Sequence, residues 1–462
     1  MSFDAEEKKH DGGENKMGVM PVKQLIISMS LPMMISMLVQ ALYNIVDSIF
    51  VARVSEDALT AVTLAFPIQS LMIAVGSGTG VGVNAILSRA LGEKNFKKAN
   101  DAANTGVLLS FFSFLLFLLI GIFVARPFIA SQASGPNAAI ITEYGSEYLF
   151  YVCVLSIGLF FQMMFERLLQ STGRTLQSMI SQMTGAIINI ILDPMLIFGI
   201  GPFPELGVKG AAVATVFGQV TASILAIIMN VKTNKDIQLS LKEVLTAKWD
   251  TIKQIYLIGI PSILMMSIGS VMTYLFNQIL IVFSSTAVAV FGVYFKLQSF
   301  FFMPIFGLNN GLIPVLAFNY GARRSDRIKE ALSFSLRLAV CVMVFGTICF
   351  ELIPGVLLKL FNASEGMNAL GIPALRIIAI HFPVAAICIV LGSVFQAFAK
   401  SSYSLVVSLG RQLVVLIPAA WLLSLLGNVN YVWFAFPIAE VMSLFITSIF
   451  FKKIKREIID QL

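Results

Sequence analysis

Long apolar segments alternate with short polar ones along almost the whole of this 462-residue chain. A helix needs about 20 apolar residues to cross a bilayer, and twelve segments reach that length. We predict membrane spans near residues 24–50, 58–88, 103–125, 139–170, 175–199, 207–231, 254–283, 286–318, 331–352, 370–398, 403–426 and 430–451. Because lipid satisfies no backbone hydrogen bond, such spans fold as helices. The pattern therefore predicts an all-α polytopic membrane protein.

The twelve predicted spans divide into two similar halves. Pro32 and Gly92 are 60 residues apart in the first half, and Pro261 and Gly321 are 60 residues apart in the second. Each half holds six spans, so both halves enter the membrane from the same side. This arrangement predicts a parallel repeat, with two six-helix bundles related by a pseudo-two-fold axis along the membrane normal.

Polar stretches mark the boundaries of the two bundles. The first residues are charged and poor in large apolar side chains, and a segment with five lysines separates the halves. We predict a disordered cytoplasmic tail at 1–22, an N-terminal bundle at 23–231, a cytoplasmic linker at 232–253, a C-terminal bundle at 254–451 and a basic cytoplasmic tail at 452–462.

The distribution of charge predicts the orientation of the chain. It is 57% hydrophobic and only 12% charged, which excludes a soluble protein of this length. The loops on one predicted side hold 26 Lys and Arg residues, and those on the other side hold five. Basic loops remain in the cytoplasm, so we expect both termini there, in a plasma (inner) membrane protein. Because the positive charge lies in these short loops, we expect the lipid bilayer as a partner and no nucleic acid.

The residues that membrane-embedded enzymes need are missing. The four cysteines lie in apolar spans without metal-ligand spacing, and His381 is the one histidine within a span. Such an enzyme requires a metal cluster or an activated nucleophile. We therefore expect no enzymatic activity and no cofactor.

Three polar side chains stand out within otherwise apolar spans. Asn189 and Asp193 lie four residues apart in the fifth span, so they share one face of a helix. Asp47 lies in the first span, within QALYNIVDSIF. An ionisable side chain at such depth is costly and usually faces a cavity or a partner. We predict that these residues form a cation site.

The chemistry of such a site follows from its two carboxyl groups. As anions in one poorly solvated pocket they repel each other, so the pair tends to hold a proton or to bind a metal cation. A Na⁺ ion would take oxygen ligands from Asp47, Asp193, Asn189 and a hydroxyl such as that of Thr215. Glu166, near the cytoplasmic end of the fourth span, is a further candidate for binding the cation or proton. The residues leave H⁺ and Na⁺ open as the coupling ion.

The second half does not repeat these charges. Asp47 aligns with Phe276 or its neighbour Asn277, and Asp193 aligns with Ile417. The halves therefore share a shape without sharing their acidic residues. Cation chemistry is expected in the N-terminal bundle.

A substrate cavity is expected between the two bundles. Its predicted lining is Gln40, Tyr43, Asn44, Lys296, Gln298 and Glu440. Glu440 is predicted to pair with Lys296, the one basic residue that this span assignment places deep in the membrane. Pro32 and Pro194 each remove a helical hydrogen bond, so we predict that they are hinges.

Several motifs together resemble the multidrug and toxic compound extrusion (MATE) family. They are ALYNIVDSIFVA in the first span, SRALGEKN after the second, QSTGRT after the fourth, INIILDPMLIFGIG in the fifth and GVKGAAVATV at the start of the sixth. The resemblance extends over about residues 20–455. It is most similar to bacterial members, including a branch that carries a glutamate in the fourth span, here Glu166.

The resemblance implies a V-shaped pair of bundles that exports small organic cations against inward H⁺ or Na⁺ by alternating access. It places the cation site on Asp47, Asn189, Asp193 and Thr215, and it matches Pro32 with a bendable first helix. Other members use acidic residues in the seventh and tenth spans, which this chain lacks there. A monomer is expected.

One alternative is a lipid-linked oligosaccharide flippase of the same superfamily. Such flippases often carry more basic residues in the cavity, or additional spans. Here Lys296 is the one basic residue assigned to the interior of a span, and the spans number twelve. The sequence therefore favours the exporter.

Overall fold

The computed structural model describes residues 15–133, 136–361 and 363–462, and over these ranges the chain is helical without a strand. The first half contains α1 (Lys16–Val19), α2 (Val22–Val54), α3 (Glu56–Gly92), α4 (Phe96–Phe123), α5 (Ala125–Gln132), α6 (Ala138–Val154), α7 (Ile157–Ser171), α8 (Thr175–Ile197) and α9 (Val208–Thr233). The linker contains α10 (Leu241–Leu245).

The second half begins with α11 (Trp249–Ile281), α12 (Ser285–Gly321), α13 (Ser325–Leu352), α14 (Pro354–Lys359), α15 (Glu365–Ala379) and α16 (Phe382–Ala397). It continues with α17 (Ser401–Leu409), a π-helical segment at Gly410–Leu416, α18 (Ile417–Ser424), α19 (Val429–Val432), α20 (Ala435–Glu457) and a 3₁₀ turn at Ile459–Gln461. We call α2–α9 the N-bundle and α11–α20 the C-bundle.

Twelve membrane crossings account for most of these helices. Within the described residues, ten helical segments are long and apolar enough to span a bilayer. Two further crossings are broken helices, α6 with α7 and α15 with α16, and each is bent by 47°. The prediction of an all-α membrane protein with twelve spans is therefore confirmed.

The internal repeat is visible in local backbone geometry. Ser55 caps α3 by accepting a hydrogen bond from the backbone N–H of Ala58 at 3.0 Å, and Ser284 caps α12 by accepting one from Ala287 at 3.1 Å. The loops after these helices also match, since Lys94 (φ 56°) and Arg323 (φ 54°) both adopt the left-handed conformation. Ser55 and Ser284 are separated by the same interval as Lys94 and Arg323, and as the prolines of the sequence repeat.

The bundles meet along a seam that follows the same symmetry. In this seam α2 packs on α12, and α3 packs on α11. A Cβ atom added to Gly92 would overlap the Phe318 carbonyl oxygen, and one added to Gly321 would overlap the Arg89 carbonyl oxygen. Gly92 and Gly321 are corresponding residues of the repeat, so this contact is self-complementary, as a two-fold axis requires. Small residues allow the two backbones to approach at the end that we predict to be cytoplasmic.

The terminal and linker segments are more ordered than predicted. Residues 1–14 of the predicted disordered tail lie outside the described residues, but residues 15–22 are wrongly included, because α1 and the start of α2 form there. The linker is shorter than 232–253, since α9 continues to Thr233 and α11 begins at Trp249. The basic segment 452–462 is not a separate tail, because α20 continues to Glu457.

Candidate functional site

Asp47 and Asp193 come together where α2 packs on α8. Their carboxyl groups lie within side-chain hydrogen-bonding reach of each other. Within the described residues, neither Asp193 oxygen nor Asp47 Oδ1 receives a hydrogen bond from a conventional donor, and Asp193 is 0% exposed. Two carboxylates this close repel each other, so the arrangement favours a proton or a cation between them.

An amide and two hydroxyl groups complete the cluster around the acid pair. Asn189 Nδ2 donates to Thr215 Oγ1 at 3.2 Å, and the Tyr43 hydroxyl lies near the Thr215 side chain. Asn189 Oδ1 is buried and has no hydrogen-bond partner in the described part of the chain. The carboxylates and this amide oxygen are hard ligands of the kind that bind small cations.

Close helix packing positions the amide beside Thr215. A Cβ atom added to Gly218 of α9 would lie 2.6 Å from the Gly185 carbonyl oxygen of α8, and 3.2 Å from Asn189 Cβ. Glycine at both positions therefore allows α8 and α9 to approach closely. Asn189 and Asp193, one turn apart, then face α9 and α2 from the same side of α8.

The structure adds two uncharged residues to the surroundings of the acid pair. Gln69 Nε2 of α3 donates to the Tyr148 hydroxyl of α6 at 3.0 Å, and this hydroxyl lies in the electrostatic field of Asp47 and Asp193. Neither Gln69 nor Tyr148 was predicted to lie near the acid pair. Uncharged polar side chains in spans are usually interhelical contacts, so no signal in the sequence distinguishes them.

The polar residues of the first span have different surroundings. Gln40 accepts a hydrogen bond from Gln182 Nε2 of α8 at 3.2 Å, and Gln182 also contacts the Ser36 hydroxyl. Gln40 therefore contributes to the α2–α8 contact. Tyr43 belongs to the acid cluster, whereas Asn44 is exposed and lies outside it.

Pro32 lies within an uninterrupted α2, and its effect is seen one turn earlier. Because proline has no N–H, the Ser28 carbonyl loses its helical donor. Thr175 Oγ1 of α8 donates to that carbonyl at 3.1 Å. The predicted hinge is therefore held by a bond to the helix that carries Asp193. Pro194 lies inside α8, immediately after Asp193.

Glu166 is buried but separate from the acid pair. It accepts a hydrogen bond from Gln162 Nε2 at 3.0 Å, and Ser181 Oγ of α8 lies 3.5 Å away. Twelve residues separate Ser181 from Asp193 on α8, which corresponds to about 18 Å of helix. The structure therefore does not bring Glu166 into the site predicted at Asp47.

Arg167, the next residue, forms a contact between the bundles. Its Nη1 donates to Gln170 Oε1 at 2.9 Å and to Asn310 Oδ1 of α12 at 3.0 Å. Arg167 is buried, so these hydrogen bonds satisfy a cation that would otherwise be costly there. No pattern in the sequence predicts this contact between Arg167 and the C-bundle.

The C-bundle contains a charge pair that differs from the predicted one. Arg411 Nη1 donates to Glu440 Oε2 at 3.1 Å, whereas Lys296 is exposed and forms no ion pair among the described residues. The prediction that Glu440 pairs with Lys296 is therefore wrong. Arg411 lies in the π-helical segment that joins α17 to α18.

The groups around this pair come from several helices of the C-bundle. Tyr294 on α12 and His381 at the break between α15 and α16 lie in the electrostatic field of Glu440 and Arg411. The Tyr294 hydroxyl donates to Gln298 Oε1 at 2.5 Å. Gln298, one of the predicted cavity residues, is therefore tied to the interior of the C-bundle.

A known protein family matches both halves of the chain. The MatE family model matches residues 32–195 and again residues 261–422. These ranges begin at Pro32 and Pro261, the first pair of residues that revealed the repeat.

Two characterised relatives are similar over most of their length. A FAD transporter from Shewanella oneidensis is 28% identical over 429 residues, covering 91% of this chain and 92% of that protein. The multidrug export protein MepA from Staphylococcus haemolyticus is 29% identical over 427 residues, covering 90% of each chain.

Solved structures share the same fold. An outward-facing multidrug resistance MATE family transporter of the MOP superfamily has a TM-score of 0.89 at 23% identity, covering 96% of this chain and 98% of that one. A MOP superfamily transporter from Pyrococcus furiosus has a TM-score of 0.84 at 24% identity, with the same coverage. These similarities agree with the two-bundle architecture described above.

Proposed function

Because this chain belongs to the MATE family of membrane transporters, we propose that it exports small organic cations in exchange for inward H⁺ or Na⁺. The observation that carries the proposal is the proximity of the Asp47 and Asp193 carboxyl groups, whose buried oxygens have no donor in the described part of the chain. An acid pair that favours a bound proton or cation can take up the coupling ion on one side of the membrane and release it on the other. The similarity to the multidrug export protein MepA supports the export of small molecules of several kinds.

The coupling ion would occupy the N-bundle. A proton would be shared between Asp47 and Asp193, and a Na⁺ ion would in addition use the unpartnered amide oxygen of Asn189. Either ion changes the net charge between α2 and α8. Thr175 of α8 also donates a hydrogen bond to the Ser28 carbonyl, one turn before Pro32. A shift between α2 and α8 would therefore strain or break this bond at the proposed hinge. We propose a location in the plasma (inner) membrane with both termini in the cytoplasm.

Ethidium uptake into proteoliposomes tests this proposal. The purified chain is reconstituted, and a proton gradient or a sodium gradient is imposed in separate experiments. We expect Asp47→Asn and Asp193→Asn to lower gradient-driven uptake by at least about tenfold, within the usual range of coupling between sites. Glu143→Gln, which removes an exposed carboxylate from the same bundle, is the matched control and should transport as wild type. Full gradient-driven transport by both aspartate variants would contradict the proposed site.

A second candidate substrate is an anionic dinucleotide such as FAD. The similarity to the FAD transporter supports it, and so does the partly exposed Arg411 within the membrane-spanning part of the C-bundle. Offering FAD and ethidium to the same proteoliposomes separates the candidates. FAD transport that is lost in Arg411→Gln, with no ethidium transport, would favour the second candidate.

A further inference from the structure

The first described residues of the chain form a short strap, residues 15–20, below the bundles. Within it Met17 is 0% exposed, although it lies outside the membrane-spanning helices. Arg327 of α13 donates from Nη2 to the Met17 carbonyl at 3.1 Å and to the Met20 carbonyl at 2.7 Å. A guanidinium that binds two carbonyl groups in this way holds the backbone of the strap in one position.

A second residue of the C-bundle supports this contact. Asn319 Nδ2 of α12 donates to the Met17 carbonyl at 3.2 Å, and Asn319 Oδ1 accepts a hydrogen bond from Arg327 Nε at 3.0 Å. The strap backbone also lies against α12, since a Cβ atom on Gly18 would be 3.2 Å from the Phe318 ring. Arg327 and Asn319 therefore form one preorganised receptor for the strap.

The other end of the strap is bonded to the N-bundle. Asn15 Nδ2 donates to the Thr172 carbonyl after α7 at 3.2 Å, and to Asp236 Oδ1 after α9 at 3.3 Å. Asp236 is held in place by an ion pair with Arg174. Six consecutive residues thus bridge the two bundles at the end where their glycines meet.

We propose that residues 15–20 are a latch that holds the bundles together on the cytoplasmic side and is released from Arg327 when that side opens. The inference rests on the proposed function, because alternating access requires the seam between Gly92 and Gly321 to open. The strap continues directly into α2 and therefore moves with the N-bundle. Its hydrogen bonds to Arg327 and Asn319 are those that separation of the bundles breaks.

The linker provides a comparison that supports a specific role for the strap. Before α11, the linker docks on the N-bundle: Lys248 pairs with Asp101 at 2.7 Å, and Asn104 Nδ2 donates to Glu243 Oε2 at 2.8 Å. Apart from the bond between Asp236 and Asn15 of the strap, the bonds described for the linker are thus made to the bundle that it has just left. The strap, in contrast, is bonded to both bundles, so separation of the bundles must break some of its hydrogen bonds.

Spin-label distance measurements on the full-length chain in lipid nanodiscs test the latch. Labels are placed at Lys97→Cys on α4 and Lys400→Cys before α17, both exposed, after the four native cysteines have been replaced. We expect Arg327→Gln to raise the ratio of separated to closed bundles about tenfold, the effect of losing a charge-assisted hydrogen bond. Arg327→Lys keeps the charge but cannot reproduce the forked contact, so it should give an intermediate ratio.

Arg324→Gln is the matched control. It removes the same charge three residues earlier, where Arg324 is exposed and pairs with Asp326 at 3.6 Å. Asn319→Ala removes the support without changing any charge, and it keeps the test valid if Arg327→Gln cannot be purified in folded form. Wild-type distances in Arg327→Gln, Arg327→Lys and Asn319→Ala, or equal widening in Arg324→Gln, would overturn the latch. The distance measurement uses neither substrate nor gradient, so it tests the latch alone. The proteoliposome assay tests the proposed transport separately.

Discussion

At the scale of single residues, Asp193 and Glu440 are buried acids with different kinds of partner. Asp193 lies close to a second carboxyl group, an arrangement that favours an exchangeable proton or cation. Glu440 contacts Arg411, which supplies a permanent positive charge on the same chain. The proposed coupling chemistry therefore belongs to the N-bundle, and the C-bundle pair needs no ion from solution.

The Arg411–Glu440 pair predicts an unequal response to two substitutions. The Glu440 side chain is 3% exposed and that of Arg411 is 29% exposed. Arg411→Gln leaves a deeply buried carboxylate without its partner and should cost about 3 kcal/mol of stability. Glu440→Gln leaves a cation that solvent can still reach, so its cost should be clearly smaller. Thermal unfolding of the purified protein in detergent measures both, and the opposite order would contradict this description of the pair.

Replacing Lys16 is predicted to strengthen docking of the strap on the bundles. Burial, followed by the nearby Arg174 guanidinium, lowers the pKa of Lys16 from its ordinary value of 10.5. A lysine whose pKa falls on docking weakens docking at every pH below the lowered value, and this penalty disappears as the pH rises toward 10.5. Lys16→Met should therefore reduce the fraction of separated bundles at pH 7, in the same distance measurement. More separated bundles in this variant would show that the ammonium helps to hold the strap.

The acid cluster could be predicted from the sequence because charge in an apolar helix is conspicuous and helical spacing is regular. Asn189 and Asp193 share a face in any helix, and Asp47 had no partner within its own span. Arg411 escaped prediction because it follows a polar loop closely, and no sequence pattern indicates that a π-helical turn continues the helix there. That these residues bind H⁺ or Na⁺ stays a prediction.

At the scale of helices, proline acts through the carbonyl that it leaves without a donor. The Ser28 carbonyl, four residues before Pro32, receives its hydrogen bond from Thr175 at the start of α8. The α2 helix therefore continues through Pro32, and the turn that lacks a backbone hydrogen bond is instead hydrogen-bonded to α8. Bending at this point requires the interhelical bond to break or to move with the bend.

This contact predicts a non-additive pair of substitutions. Thr175→Val should destabilise the protein by about 1–2 kcal/mol, because the Ser28 carbonyl loses its remaining donor. In a Pro32→Ala background, residue 32 regains its N–H and can satisfy that carbonyl, so the same substitution should cost much less. A double-mutant cycle of unfolding free energies measures the difference. Equal costs in the two backgrounds would contradict the role assigned to Thr175.

The helices of the membrane spans could be predicted from apolar length, but several shorter elements could not. Two short helices, α5 and α14, follow the third and ninth spans, where the sequence indicated loops. Both are too short to produce a clear apolar period, so packing against the adjacent helices decides their structure. The breaks at Leu155 and Ile380 were missed for a related reason, since apolar residues continue across each bend.

At the scale of the whole molecule, the repeat determines how the bundles meet. The contacts of Gly92 and Gly321 obey the two-fold relation that the spacing of Pro32 and Pro261 predicted. A symmetric seam can separate by rotation of one bundle against the other, with equivalent contacts breaking on each side of the axis. The strap departs from this symmetry, because its bonds to Arg327 belong to one half of the repeat.

The symmetric seam predicts equal effects of two corresponding substitutions. Gly92→Ala and Gly321→Ala each place a methyl group against a backbone carbonyl of the other bundle, so each should increase the fraction of separated bundles by a similar factor. Gly292→Ala is the matched control, since nothing lies within 4 Å of its added Cβ atom. The distance measurement between labelled bundles reports all three. A seam that remains closed in both glycine variants would show that the backbones need not approach at these positions.

The strap also has a consequence for the order in which the protein becomes complete during synthesis. Its bond to Arg327 joins residues 310 positions apart, so Met17 leaves the ribosome long before its receptor exists. The N-bundle can assemble first, as N-terminal domains generally do, but the strap must wait until α13 has begun to emerge. The strap is therefore translated early but is among the last segments to reach its final place, and a fusion partner attached just before Asn15 would compete with that late step.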